Sequence, residues 1–136
     1  MNLFTYLNFG GNCEEAFRFY ERHLGGRIEA MMSRGEQPGG GGAGPEHANT
    51  IMFARMRIGE TVLMGADVPE GFQPMRSAYL YLSAASAEEA NGAFSALAEG
   101  GHVIMPIDDA FFAERFGMVR DRFGVLWMVI KERDGG

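Results

Sequence analysis

The sequence predicts an α+β fold: two βαβββ modules forming one curved mixed sheet with a cleft, and the helices outside. Three observations carry this. Asn12-Cys13-Glu14-Glu15-Ala16 reappears as Ser86-Ala87-Glu88-Glu89-Ala90, each copy follows a strand-like stretch, and each helix it opens closes on a Gly-Gly pair, Gly25-Gly26 or Gly100-Gly101. Such a duplication sets the architecture, because a half that cannot bury its sheet alone needs its copy. The modules are expected over 1–67 and 76–134 of a single domain spanning 1–136, with a linker at 68–75.

Asn2–Phe9 carries aromatics and Thr and reads as a strand. Asn12 is expected to cap the first helix, with Glu15 three residues on completing a capping box. Ala16, Phe17, Tyr20 and Leu24 recur at helical spacing as its apolar face. Gly25-Gly26 supply the left-handed backbone of a C-terminal cap. Arg27–Ser33 is the second strand. Gly35–Pro45 holds six glycines and two prolines and reads as a loop. It lacks the Lys-Ser/Thr pair of a phosphate-cradling loop. Asn49–Ile58 and Thr61–Ala66 form a hairpin through Gly59-Glu60, and Asp67–Met75 runs on as a linker.

The pattern then repeats. Ser77–Ser83 is a strand, Ser86 and Glu89 form a capping box, and Ala90, Phe94 and Leu97 are the buried helix face. His102–Ile107, Phe111–Arg120 and Val125–Ile130 complete the second sheet. The last two strands are joined by the polar turn Asp121-Arg122-Phe123-Gly124.

Composition narrows the function. At 136 residues, 46% hydrophobic, the chain can bury a real core. A net charge of -6, with 12 scattered Lys and Arg, argues against a nucleic-acid partner. No apolar run approaches the roughly 20 residues that span a bilayer, and no secretory leader is recognisable. A lone cysteine, Cys13, excludes an intramolecular disulfide. The expectation is a cytoplasmic protein with no membrane partner. Ten methionines either fill core gaps or give an adaptable apolar ligand surface.

Several segments together resemble one family. These are Gly11-Asn12-Cys13-Glu14-Glu15-Ala16-Phe17 with Phe19-Tyr20, the Ile58-Gly59…Val62-Leu63-Met64 hairpin, and Arg115-Phe116-Gly117-Met118…Asp121-Arg122-Phe123-Gly124-Val125…Trp127. The chain resembles, over almost its full length, the vicinal-oxygen-chelate (glyoxalase/bleomycin-resistance/dioxygenase) superfamily, and its PhnB-like branch most closely. Metal enzymes of that superfamily place four ligands on cleft-facing strand positions. The resemblance puts these on Thr5, Met64, Tyr79 and Met128, none of which is a good ligand for a hard divalent ion. It therefore implies no metal and no cofactor. By alternation from those positions, Thr5, Leu7, Val62, Met64, Tyr79, Tyr81, Leu126, Met128 and Ile130 face the cleft. That makes an apolar trough with hydroxyl anchors.

Arg55, Arg57, Arg115 and Arg120 either clamp a carboxylate or phosphate or pair with Glu60, Glu114 and Asp121; Arg115 and Arg120 are the preferred anchors. Other chemistry is thinner. His23, His47 and His102 show no metal-ligand spacing, and Asp108-Asp109 read as a solvated turn. Cys13 at a helix N-terminus invites a test of thiolate reactivity. Phe111-Phe112 line the mouth or a dimer contact. No glycine-rich S-adenosylmethionine site is recognisable. The reading is a metal-independent, homodimeric small-molecule-binding protein. Its alternative is an enzyme of the superfamily acting on a small oxygen-bearing metabolite, with the branch name pointing to phosphonate metabolism.

Overall fold

A computed structural model describes residues 1–36, 47–68 and 70–134. It divides into two compact units, Met1–Gln73 and Pro74–Gly136, each carrying, among the described residues, one four-stranded mixed sheet and one α-helix.

In the first unit, β1 (Thr5–Phe9), α1 (Cys13–His23), β2 (Arg27–Ser33), β3 (Ile51–Ile58) and β4 (Thr61–Asp67) follow in order. The sheet order is β1-β4-β3-β2, with β1 parallel to β4 and the other pairs antiparallel. A parallel neighbour requires a crossover, and α1 with β2 and β3 supplies it. Phe17 on α1 meets the Phe9 ring edge-on at 6.1 Å. Gly65 lies under the same helix, where an added Cβ would stand 2.9 Å from the Leu7 carbonyl and from Phe17. Leu7, Phe9 and Gly65 therefore define the helix-covered face of this sheet.

The expected Asn12 capping box is absent, since the Asn12 side chain makes no cap bond. Asp67, 2% exposed at the end of β4, takes the role from across the sheet. Its Oδ1 accepts from the backbone N–H of Gly11 and of Cys13, both at 3.0 Å, and its Oδ2 from Ile51 N–H at 2.8 Å. A carboxylate beside orphan helix N–H groups satisfies them and complements the helix dipole. Arg34, in a short 3-10 turn at Arg34–Glu36, donates to the Asp67 carbonyl at 2.8 Å. The loop expected at Gly35–Pro45 lies, beyond Glu36, outside the described residues.

The second unit repeats the plan as β5 (Leu80–Ser83), α2 (Ala87–Ala98), β6 (His102–Ala110), β7 (Ala113–Arg120) and β8 (Leu126–Glu132), in sheet order β5-β8-β7-β6. Here the capping box forms: Ser86 Oγ accepts from Glu89 N–H, and Glu89 Oε1 accepts from Ala85 N–H, both at 3.0 Å. Ala90, Ala93, Phe94 and Leu97 are buried on the inner side of α2, and Gly117 of β7 lies against Phe94.

The turn Asp121–Gly124 closes as the sequence suggests, with Gly124 at φ +92°. Asp121 is again a buried organiser. Its Oδ1 accepts from Phe123 and Val125 N–H, and its Oδ2 from Trp127 Nε1–H, all at 2.9 Å.

Boundaries differ from expectation at a few ends. β5 starts at Leu80 rather than Ser77, because Ser77 sits at φ +60°, which no strand accommodates. β6 runs on through Asp108-Asp109, expected as a turn, with three register irregularities against β7. β8 continues past Ile130 to Glu132.

Candidate functional site

In each sheet one face is covered by the unit's own helix and the other is not. On the second sheet, Gly117 marks the α2 side, so Val119, Val129 and Leu82 share it, and the register assigns Tyr81, Met128 and Met118 to the helix-free side. Ser83, Ile130 and Phe116 form the next row on that side. Continuing the alternation along β8 adds Glu132.

A polar trio stands there. Glu132 Oε1 accepts from the Tyr81 hydroxyl at 3.1 Å, and the Ser83 hydroxyl lies 3.0 Å from both carboxylate oxygens. Tyr81 is 57% exposed and Glu132 is exposed. Partial burial first, then the hydrogen bond to and charge of Glu132, push the Tyr81 hydroxyl above its ordinary value, so it stays protonated as a donor. Beside the trio, Phe116 stacks edge-on with Phe112 at 5.1 Å. Chemically this is a fixed carboxylate with spare acceptor capacity, two hydroxyls whose lone pairs remain available, and a thioether and aromatic floor.

The structure brings together only part of the expected set. Tyr81 and Met128 are neighbours on the helix-free face, and half-buried Tyr79 precedes β5. Met64 lies on the helix-free face of the first sheet, beside Tyr6 and Arg55. Thr5 and Leu7 belong instead to the α1 side: Leu7 is 7% exposed, and both pair with residues of the Leu63–Gly65–Asp67 row under the helix. The spacing that aligns the helix caps slips by one residue on the first strands. Leu7, which it matches to Tyr81, points the opposite way, and Gly11 at φ +116° ahead of Asn12 marks where the two connections diverge.

Arg115 is also corrected. It lies on the α2 side with Nε on Asn91 Oδ1 at 2.9 Å, Nη1 on Asp109 at 3.2 Å and Nη2 on the Ile107 carbonyl at 3.3 Å. These bonds tie helix to edge strand and occupy all three of its nitrogens. Arg120 ends β7, exposed, on the Met118 side. Arg55 and Arg57 pair with Glu29 rather than Glu60. Cys13 is fully buried, and burial, then Asp67 and Glu14, drive its thiol far above the normal range, which reverses the expected thiolate activation.

Glu132 is the residue sequence reasoning missed. Its signal was the alternation Leu126, Met128, Ile130, which ended one step short with the expected strand. For a metal, the chemistry is unsuited: among the described residues no three His, Cys, Asp or Glu side chains come together. Among the described residues Glu132 is joined by the neutral Tyr81 and Ser83 hydroxyls, a donor set that does not fit a resident divalent ion. Two shallow surface hollows are lined by Ala87, Asp109, Glu114, Arg115 and Arg133, and by residues around Asp67 at the start of α1. In the first, Arg115 is bonded to Asp109, Glu114 pairs with Lys131 at 3.0 Å and Arg133 donates to the Ala110 carbonyl; in the second, Asp67 is the helix cap and Arg18 pairs with Glu14 at 3.0 Å. No described helix is long and apolar enough to cross a membrane.

Comparison with known proteins places this geometry in context. The family model for the Glyoxalase/Bleomycin resistance protein/Dioxygenase superfamily matches residues 4–129. Protein YjdN of Escherichia coli K12 is 33% identical over 138 residues, covering 95% of this chain and 94% of the relative. The crystal structure of protein PA1353 from Pseudomonas aeruginosa superposes with a TM-score of 0.89 at 41% identity, covering 98% of this chain and 99% of that one. A Bacillus cereus PhnB protein, described as a putative 3-demethylubiquinone-9 3-methyltransferase, gives 0.82 at 26% identity, covering 96% and 99%. The chain belongs to the glyoxalase/bleomycin resistance protein/dioxygenase superfamily.

Proposed function

We propose that this protein binds a small organic molecule, without a metal, on the helix-free face of its second sheet. The observation that carries this is the Tyr81–Ser83–Glu132 trio set beside Met128, Met118 and Phe116. A surface carboxylate normally faces a cation or water. This one is oriented by two neutral hydroxyls, an arrangement that adds little to stability and fixes acceptors toward an incoming group. The preferred ligand presents hydroxyl or amine donors on an apolar body. The methyltransferase description of the Bacillus relative gains no support from these residues.

The test is a thermal-shift screen of donor-bearing metabolites on chelator-treated protein, followed by calorimetry on hits. Glu132→Gln and Tyr81→Phe are expected to weaken a genuine ligand by about tenfold or more, as for loss of one charge-assisted hydrogen bond. Hits unaffected by either variant would refute the site.

A second reading, turnover of a small oxygen-bearing metabolite, draws on the same carboxylate acting as a general base with Tyr81 as its partner. Consumption of a hit, abolished by Glu132→Gln, would favour it. The protein is also proposed to work as a cytoplasmic homodimer. Val103, Ile104 and Met105 on edge strand β6 are each 40–43% exposed, and Phe111 is 93% exposed. Such apolar exposure marks association surfaces. Light scattering that returns a monomer mass at micromolar concentration would exclude the dimer.

A further inference from the structure

The first sheet carries a second polar arrangement, on its side turned away from α1. Arg55 faces Met64, with Nη1 3.9 Å from the Met64 sulfur and Cζ 5.8 Å from the centre of the Phe4 ring. Arg57 lies two residues along β3 and so on the same side. Between them stands Glu29 of β2, which splits its carboxylate: Oε1 accepts from Arg55 Nε at 3.1 Å and Oε2 from Arg57 Nε at 3.2 Å. Arg27 Nη2 is 3.9 Å from the same Oε2.

Three features separate this from an ordinary surface ion pair. First, three guanidiniums share one carboxylate, so among the described residues two of the three positive charges have no ion-pair partner of their own, in a chain whose net charge is -6. Second, Glu29 engages both strand arginines through Nε. Among the described residues the Nη groups of Arg57 meet no acceptor, and those of Arg55 meet only the weak Met64 sulfur. Third, the pair is held rather than loose. The Glu29 side chain is 25% exposed, that of Arg55 33% and that of Arg57 41%; Arg55 packs against an aromatic ring and a thioether, and Arg57 is held by its bond to Glu29. The hydrogen bonds from Arg57 and Arg55 also keep the Glu29 carboxyl below its ordinary value, so it stays ionised and keeps orienting them. Exposed ion pairs add little to stability, so stability alone does not account for two excess charges on one patch.

We infer that Arg55 and Arg57, aligned by Glu29, form a binding site for a phosphate-type dianion on the helix-free face of the first sheet. Residues at i and i+2 of a strand are about 7 Å apart, a separation across which two guanidiniums can each present an Nη edge to different oxygens of one tetrahedral anion. Glu29 acts as a positioning residue. Phe4 and Met64 offer an apolar border suited to the organic part of a phosphate ester. This site is independent of the Tyr81–Ser83–Glu132 proposal and stands or falls separately.

The experiment is titration of the full chain at neutral pH with inorganic phosphate and, in parallel, phenyl phosphate, followed by calorimetry and by the arginine Nε–Hε resonances. Saturable binding that shifts Arg55 and Arg57 is expected, with Arg57→Gln weakening it about tenfold or more. Tighter binding of phenyl phosphate identifies an ester as the natural form; equal binding identifies the free anion; either supports the site. Glu29→Gln separates a built site from a bare charge patch. It raises the local positive charge, so a patch binds phosphate more tightly, whereas a positioned pair binds it severalfold more weakly. Arg22→Gln, on the exposed end of α1, is expected to leave binding unchanged. Absence of saturable binding to both probes, tighter binding by Glu29→Gln, or equal weakening by Arg22→Gln would overturn the inference. Urea midpoints of the variants check that each is folded when it is titrated.

Discussion

Asp67 is the sharpest single test of how the first unit is held together. Its carboxylate, 2% exposed, accepts three backbone N–H bonds from two segments, Gly11 and Cys13 at the start of α1 and Ile51 at the start of β3. Replacing Asp67 by Ala leaves these donors without their acceptor. Gly11 is exposed and water can reach it, but Cys13 and Ile51 are 0% and 2% exposed. Each stranded buried donor costs about 1–3 kcal/mol, and losing a negative charge at the helix N-terminus adds about 0.3–1 kcal/mol. The expected loss is about 2–7 kcal/mol, a large share of the roughly 5–15 kcal/mol that stabilises a typical domain. Asp67→Asn keeps one carbonyl oxygen for the helix but turns an N–H donor toward Ile51 N–H, so about 1–3 kcal/mol is expected. Urea denaturation followed by circular dichroism, compared at equal m-value, measures both. An Ala variant less than about 1 kcal/mol below the parent, or an Asn variant as damaged as the Ala one, would refute the capping argument.

Three further outcomes follow from the same geometry. Cys13, buried with its thiol pushed far above normal, should resist a thiol reagent in the native protein and react at the rate of unfolding, and immediate stoichiometric labelling would contradict this. Gly65→Ala places a methyl 2.9 Å from the Leu7 carbonyl and the Phe17 ring, so the urea midpoint should fall by the equivalent of about 1–3 kcal/mol; no change would mean α1 can lift off at no cost. Glu29 has a depressed folded-state value, so its contribution is present above the ordinary 4.5 and is lost as pH falls through the folded value. The stability gap between parent and Glu29→Gln should therefore narrow on acidification, and a gap that widens would reverse the sign of the argument.

Much of the fold was legible because it is written in local, repeated chemistry. The second capping box needs only Ser86 and Glu89, and the Asp121–Gly124 turn needs a residue tolerant of positive φ where Gly124 stands. The first helix misled because its cap comes from Asp67, whose distance in sequence hides the contact. The site was harder to read for a similar reason. Strand faces have a period of two, so one residue of slip between the repeats sent Thr5 and Leu7 to the helix side. The plain pattern of Thr5-Tyr6-Leu7-Asn8-Phe9, with the more apolar parity at Leu7 and Phe9, already favoured burial of that parity. Arg115 looked like a ligand anchor because nothing local revealed Asn91 or Asp109 as its partners. Glu132 stood just beyond the expected end of β8.

The claim that the helix-free face of β5, β7 and β8 binds a small molecule without metal is tested most directly by the methionines on it. In protein labelled at the methionine methyls and freed of divalent ions by chelation, a screening hit should shift the Met128 and Met118 signals, and Glu132→Gln should move the titration to about tenfold or more higher ligand concentration. Hits that bind only after a divalent ion is added, or that leave Met128 and Met118 untouched while moving other methyls, would contradict the account.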